Sequence, residues 1–230
     1  MRCRLVGSEM CIRDRFTADP RIIESAKLID EITYDEMLEM SSSGAGVLMA
    51  RSVEFGRRYN VPIIVKSTFT NNKGTVVKEK TMEEAIVSGV THNDKEVKFT
   101  LFGVPDQPGI AGTVFGSLSE IGTNVDMIVQ NVSKESITDI SFTAPSEQQK
   151  DVEDTLKNIS KQLDAKGYDV DENIARISII GAGMKSESGV ASKMFKTLGN
   201  NKINISMIST SPIRVSCVIS SNDIEKALNV

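Results

Sequence analysis

The stretch Gly103–Asn131, GVPDQPGIAGTVFGSLSEIGTNVDMIVQN, decides how the chain is read. A β-like run from Val97 to Val104 stops at Pro105-Asp106-Gln107-Pro108-Gly109. Apolar residues then recur at helical spacing (Ile110, Val114, Phe115, Leu118, Ile121), and a second β-like run follows from Asn124 to Val129. Pro108-Gly109 is expected to begin the helix, because a first-turn proline lacks only an amide that has no helical partner there. The amides of Gly109, Ile110 and Ala111 then face outward with the positive end of the helix dipole behind them, which suits a carboxylate. Asp106 beside them can receive an ammonium. Asn124, Asp126 and Gln130 are separated by even steps and are expected on one strand face. An anion cradle beside acids and amides matches an α-amino acid zwitterion. Taken alone, the turn also reads as an ordinary helix start with polar loop residues.

Much of this stretch returns 80 residues later. Between Gly109–Ile128 and Gly189–Ile208, seven of twenty positions are identical: Gly109/Gly189, Ala111/Ala191, Phe115/Phe195, Leu118/Leu198, Asn124/Asn204, Met127/Met207 and Ile128/Ile208. Chance gives about one, so one module is used twice. The first copy runs through VKFTLFGV, the helix, NVDMIVQNV and SITDISFTA. A polar helix follows over about Ser146–Lys166, with Val152, Leu156, Ile159 and Leu163 on one face, and then YDVDEN. That is β-α-β-β-α-β, the ferredoxin-like order. The second copy restarts at IARISIIGAG and ends after NDIEKALNV, one strand short. The unassigned strand Ala85–Asn93 is expected to complete it, which makes the first module an insertion within the second.

Upstream, Thr33 followed by Glu36 forms a capping box for a helix from Tyr34. SSSGAG interrupts it. A second helix is expected over about Gly44–Tyr59, carrying Val47, Leu48, Val53 and Phe55, then a strand in VPIIVKSTF and a turn at TNNKGT. Residues 16–80 read as the end of something larger, because one strand and two helices cannot close a core. Residues 1–15, MRCRLVGSEMCIRDR, place four Arg around a short apolar patch without periodicity. They are read as a non-native leader, with a basic arm as the alternative.

Composition narrows the function. The 230 residues carry a net charge of −4 and no Trp, with 5% aromatic residues. There is no basic footprint for nucleic acid and there are few stacking platforms. No apolar run approaches the ~18 residues of a membrane span. Three cysteines (Cys3, Cys11, Cys217) make no disulfide framework, and no metal-ligand spacing is present, so a reduced, cytoplasmic setting is expected. GAGMKS (Gly181–Ser186) fails the phosphate-loop spacing at Met184 and the dinucleotide fingerprint at Ser186. By the repeat it stands opposite Leu101–Asp106. His92, the only histidine, reads as a solvated turn residue, the methionines as gap fillers and Cys217 as a buried small hydrophobe.

GVPDQPGIAGTVF with NVDMIVQN, and then GAGMKSESGVASKMFKTLGNNKINISMISTSPIRVS, resemble the paired ACT domains of aspartate kinases. FTADPR, YDEMLEMSSSGAGVL and VPIIVKSTF resemble the C-terminal end of that family's amino-acid-kinase domain, so the resemblance covers Phe16–Val230. It implies an α/β (α+β) architecture. A remnant of the kinase domain (16–80) precedes two ferredoxin-like βαββαβ ACT domains, one at 95–172 and one at 84–94 plus 173–230. It also implies phosphorylation of the aspartate β-carboxylate with ATP and Mg2+ by the full-length enzyme, under feedback by lysine, threonine or both. Implied effector contacts are Asp106, Gly109, Ile110, Ala111, Asn124, Val125, Asp126 and Gln130. From the second module they are Val190, Ala191, Asn204, Ile205 and Ser211. Thr17, Asp19 and Arg21 match a segment near the nucleotide.

Three positions depart from the family pattern: Gly46 stands for its Lys, Lys66 for its Arg, and Pro212 for its Glu. The Lys-bearing phosphate loop and the aspartate-binding residues are missing, so no catalytic residue, metal site or tight cofactor binding is expected in this chain, nor phosphoryl transfer by it alone. It is read as the product of a gene lacking its 5′ part; a regulatory subunit started internally is the alternative. Expected partners are a second copy through the ACT domains or a full-length kinase subunit. A free-standing amino-acid sensor is the other functional reading, against which Phe16–Thr81 counts.

Overall fold

The computed structural model describes residues 15–46, 48–67, 73–80, 85–132 and 136–230. Residues 1–14 of the expected leader, Val47 and Thr70–Asn72 of the expected turn lie outside the described residues. The chain forms two compact units. One takes the residues through Asn93, Arg176–Ile219 and Asp223–Val230; the other takes Asp94–Ala175 with Ser220–Asn222.

The first unit opens with β1 (Glu31–Thr33), α1 (Tyr34–Ser42), α2 (Ala50–Arg58), β2 (Ile63–Val65) and β3 (Thr75–Lys78), followed by β4 (Gly89–Asn93). The capping box forms as read: Thr33 Oγ1 accepts from the Glu36 amide, and Glu36 Oε2 accepts from the Thr33 amide at 3.1 Å. Two strands were not anticipated. β1 pairs parallel and β2 antiparallel with β3, giving a three-stranded sheet where one strand was expected. Runs of three or four residues are too short to show a period. Helix α2 begins at Ala50, not near Gly44, because Gly44 adopts φ +105° and lies so close to the His92 carbonyl that a Cβ would collide with it. The core here gathers Ile32, Tyr34, Met37, Met40, Val53 and Val77, and Ile180 from far down the chain joins it.

The other unit contains β5 (Glu96–Pro105), α3 (Ile110–Glu120), β6 (Asp126–Val132), β7 (Ile137–Pro145), α4 (Gln149–Gln162) and β8 (Gly167–Asp171). Its antiparallel sheet has the order β6-β7-β5-β8. Val97, Phe99 and Leu101 stand opposite Ala144, Phe142 and Ile140. α3 adds Val114 and Leu118, and the expected stripe of α4 adds Val152, Leu156 and Ile159. Phe142 stacks on Phe99 at 5.4 Å and takes the edge of Phe115 at 5.6 Å. Leu101 and Val104, three apart, are both buried because a bulge at Gly103 (φ +62°) inserts one residue between them.

The second copy consists of β9 (Ile174–Ile180), α5 (Val190–Asn200), β10 (Met207–Ser211), β11 (Arg214–Ser220) and α6 (Ile224–Leu228). Its sheet order is β10-β11-β9-β4. β4 runs antiparallel to β9 from Gly89↔Ile180 to Asn93↔Arg176, the place that β8 holds beside β5 in the other sheet. The strand upstream of the first module thus completes the second, and the first is inserted within it. His92 is a half-buried strand residue opposite Ile177 rather than a solvated turn residue. Cys217 is fully buried with Ile177, Leu198 and Ile219, and burial pushes its thiol up to about 12.

Candidate functional site

The first turn is open. Gly109 is the N-cap of α3 at φ +96°, and space is clear where its side chain would be. That positive φ is not helical, so Pro108 precedes the cap instead of starting the helix. The Ile110 amide is not free, since it donates to Gln107 O at 3.3 Å. Among the described residues the amides of Gly109 and Ala111 find no partner. Ala111 is exposed and Ile110 half-buried against the core. Asp106 is exposed at the end of β5; its amide donates to Ser136 O at 2.8 Å, which fixes the chain and leaves the carboxylate outward.

The expectation that Asn124, Asp126 and Gln130 share a face fails. Asp126 stands opposite Thr143 and Gln130 opposite Ile140, with a register shift between Asp126 and Val129. Thr143 and Ile140 are three apart, so Asp126 and Gln130 point to opposite faces. Met127 takes a positive φ of 47° in this bulge, and its amide donates to Asp126 Oδ1 at 2.8 Å. Part of the Asp126 carboxylate therefore serves the local backbone. Asn124 is exposed, whereas Val125 packs on the core.

The second copy divides in two. Its helix start matches the first: Gly189 caps α5 at φ +90° in open space, and the Val190 and Ala191 amides find no partner among the described residues. Asn204 is exposed and Ile205 packs on the core. Ser186 stands where the first copy has Asp106, and the acid of this turn is the exposed Glu187, one position nearer the cap, opposite Gln107 of the first copy. The strand end differs more. β5 continues to Pro105, but β9 stops at Ile180 and Ala182–Lys185 form a short 3-10 turn. Gly181 and Gly183 are buried; a Cβ on Gly181 would run into the Ile86 carbonyl. These glycines permit close backbone packing, which accounts for GAGMKS without any phosphate.

A carboxylate does reach that turn, from the upstream segment. Glu36 is buried, and its Oε1 accepts from the Ala182 amide at 2.8 Å and from the Ser88 hydroxyl. Burial pushes the Glu36 carboxyl up, but the hydrogen bonds from Ser88, Thr33 and Ala182 outweigh it and hold the group below the ordinary carboxylate range. Further along α1, Glu39 pairs with Arg214 at 3.0 Å, and Ser42 O accepts from Arg176 at 3.3 Å. Ser211 lies here too, its hydroxyl 3.5 Å from Glu39 Oε1. Sequence reasoning found the capping half of Glu36 and missed the other half, because a capping box is local and Ala182 is 146 residues away.

Thr17 is tied into the backbone, with its hydroxyl accepting from the Lys27 amide at 3.1 Å and its carbonyl from the Val90 amide at 2.7 Å. Asp19 receives the Arg21 guanidinium at 2.6 Å, and this bond and charge raise Arg21 above its ordinary value. Asp19 and Arg21 thus pair with each other beside the backbone-anchored Thr17.

Residues 16–67 match the Amino acid kinase family, and residues 98–164 and 177–230 each match an ACT domain. The chain is 45% identical over 216 residues to the aspartate kinase of Pseudomonas fluorescens (strain SBW25), covering 93% of this chain and 52% of that protein. It spans about half the length of the curated relatives it matches. Among solved structures, the aspartate kinase from Synechocystis is 36% identical with a TM-score of 0.62, over 95% of this chain and 40% of that one. The ligand-free regulatory subunit of aspartate kinase from Thermus thermophilus is 34% identical with a TM-score of 0.60, over 63% of this chain and 95% of that one.

Proposed function

The chain belongs to the aspartate kinase family, and from that premise we propose that it is the amino-acid-sensing, regulatory part of an enzyme that phosphorylates the β-carboxylate of L-aspartate with ATP. The effectors are lysine, threonine or both, bound at the first ACT domain. The carboxylate meets the amides of Gly109 and Ala111, and the ammonium meets Asp106. Asn124, Val125 and Asp126 border the site, and Val190, Ala191, Asn204 and Ile205 serve the corresponding place of the second ACT domain. The observation that carries this reading is the open Gly109 cap beside an outward Asp106. Asp126 is the bordering acid whose carboxylate suits either the lysine ammonium or the threonine hydroxyl.

Phosphoryl transfer itself belongs to kinase residues that this chain does not span. Thr17, Asp19 and Arg21 are the part of the nucleotide surroundings it contributes, and Mg2+ is held elsewhere. The protein works in the cytoplasm, as a pair through its ACT domains or beside a full-length kinase subunit. Effector control is linkage: a ligand that binds one arrangement of the ACT domains more tightly shifts the population toward it.

Calorimetric titration of the chain with lysine and threonine, separately and together, tests the site. Saturable binding that weakens at least tenfold in Asp106→Ala is expected. A folded chain that binds neither amino acid overturns the reading.

A further inference from the structure

The Glu36 carboxylate has two oxygens with two separate tasks. Oε2 closes the capping box with Thr33, accepting from its amide at 3.1 Å and its hydroxyl at 2.7 Å. That bond fixes the carboxylate to the first turn of α1. Oε1 is thereby aimed outward, at the Ala182 amide and the Ser88 hydroxyl. Ala182 opens the turn that leads to α5, and Ser88 immediately precedes β4 while its amide donates to Ile180 O at 2.7 Å. One buried carboxylate thus joins three pieces of chain: α1 of the kinase segment, the last turn before the second ACT helix, and the strand that completes the second ACT sheet. The same helix face continues the contact. Met40 sits under Gly89, where a Cβ would displace it, and the Ser43 hydroxyl accepts from Arg214 at 3.4 Å. Positions 36, 39, 40 and 43 recur at the spacing of one helix face.

We propose that Glu36 is a positioning residue that makes α1 and the Gly181–Lys185 turn move as one body, so that a change in the second ACT domain is delivered to the kinase segment through this carboxylate. The proposal rests on the effector reading above for its trigger, but the mechanical joint exists without ligand. A charged acceptor held in a buried place by its own helix cap cannot follow a departing turn without either breaking the cap or leaving a buried charge short of donors. The turn and the helix start are therefore tied together.

Glu36→Gln separates the two tasks. A glutamine still closes a capping box through its oxygen, but then presents an NH2 to two donors. Ser88→Ala removes one outward bond and leaves the cap alone, which covers the case of a glutamine variant that folds poorly. Hydrogen exchange on the full chain without ligand is expected to speed up at least tenfold at the Ala182 amide in Glu36→Gln, with the first turn of α1 accelerating alongside it, and about threefold in Ser88→Ala. Addition of lysine or threonine is expected to change exchange in α1 of the wild-type chain. Glu36→Gln should lose that change while the calorimetric affinity stays within threefold, a result that a merely structural role would not produce. Unchanged exchange at Ala182 in both variants overturns the joint. An effector response in α1 that survives in both variants overturns the delivery. If neither amino acid binds the wild-type chain, the effector reading falls by itself, and the ligand-free exchange decides the joint.

Discussion

The two ACT domains of this chain are copies by sequence and unlike by surroundings. In the first, the turn before the helix is exposed, carries Asp106 and has no neighbour at its glycine cap. In the second, the helix start is equally open, but the strand end before it is buried and held by Glu36. The pair Leu101/Gly181 shows how the copies diverged. Leu101 is a side chain in the core, while Gly181 is a bare backbone against Ile86 and Val87. One copy leaves the turn after its first strand exposed, and the other packs the end of that strand against its own chain. A repeat therefore conveys a fold twice, whereas a role depends on what each copy touches.

The largest effect expected from this contrast is at Gly181. A Cβ there meets backbone, which cannot swing away, so Gly181→Ala should destabilise the unit by about 3 kcal/mol. Urea denaturation measures it, and a variant as stable as the parent would dissolve the contrast between the copies. Glu36→Gln comes next at about 2 kcal/mol, because a charged acceptor with buried donors is lost. Its pH dependence has a definite sign. The folded Glu36 carboxyl lies below its ordinary range, so its contribution is present above the unfolded value of about 4.3 and is lost as pH falls through the folded value. Stability measured from neutral to acid pH should fall less steeply in Glu36→Gln than in the parent.

Arg15 sharpens the comparison from the other side. It is buried beside Thr75 and Ile29, and its Nε and Nη2 find no partner among the described residues. Burial lowers it to about 10 from 12.5, so the penalty is complete below pH 10 and is relieved only as pH rises toward 12.5. Arg15→Val should raise the unit's stability by about 1–2 kcal/mol at neutral pH, read by the same denaturation; a loss of stability would mean that the guanidinium has a partner. The smallest effect on stability is expected at Asp106→Ala, an exposed side chain with no measurable influence on unfolding but at least tenfold on effector binding. A stability loss there would mark Asp106 as part of the fold rather than of a site.

The elements legible in the sequence were those governed by local chemistry or long periodic runs. Thr33 and Glu36 announced a capping box, α4 announced its stripe, and the Gly109–Ile128 repeat announced a second ferredoxin-like sheet whose missing strand had to come from upstream. Elements invisible to periodicity were β1 and β3, too short to have any, and the bulge at Met127, which turns an even spacing into opposite faces. The site was legible in part. The sequence marks the turn where Gly109 is open and Asp106 exposed, but the Ile110 amide, expected to face a ligand, donates to Gln107 O.

By itself the sequence determined the module, its duplication, its nesting and the aspartate kinase family, because these depend on pattern and order along the chain. Only the tertiary structure decided which surfaces of the two copies stay open. Whether a turn faces solvent or the carboxylate of Glu36 depends on a contact across 146 residues. No local propensity encodes such a contact, and burial and hydrogen bonding settle it only when the chain has closed.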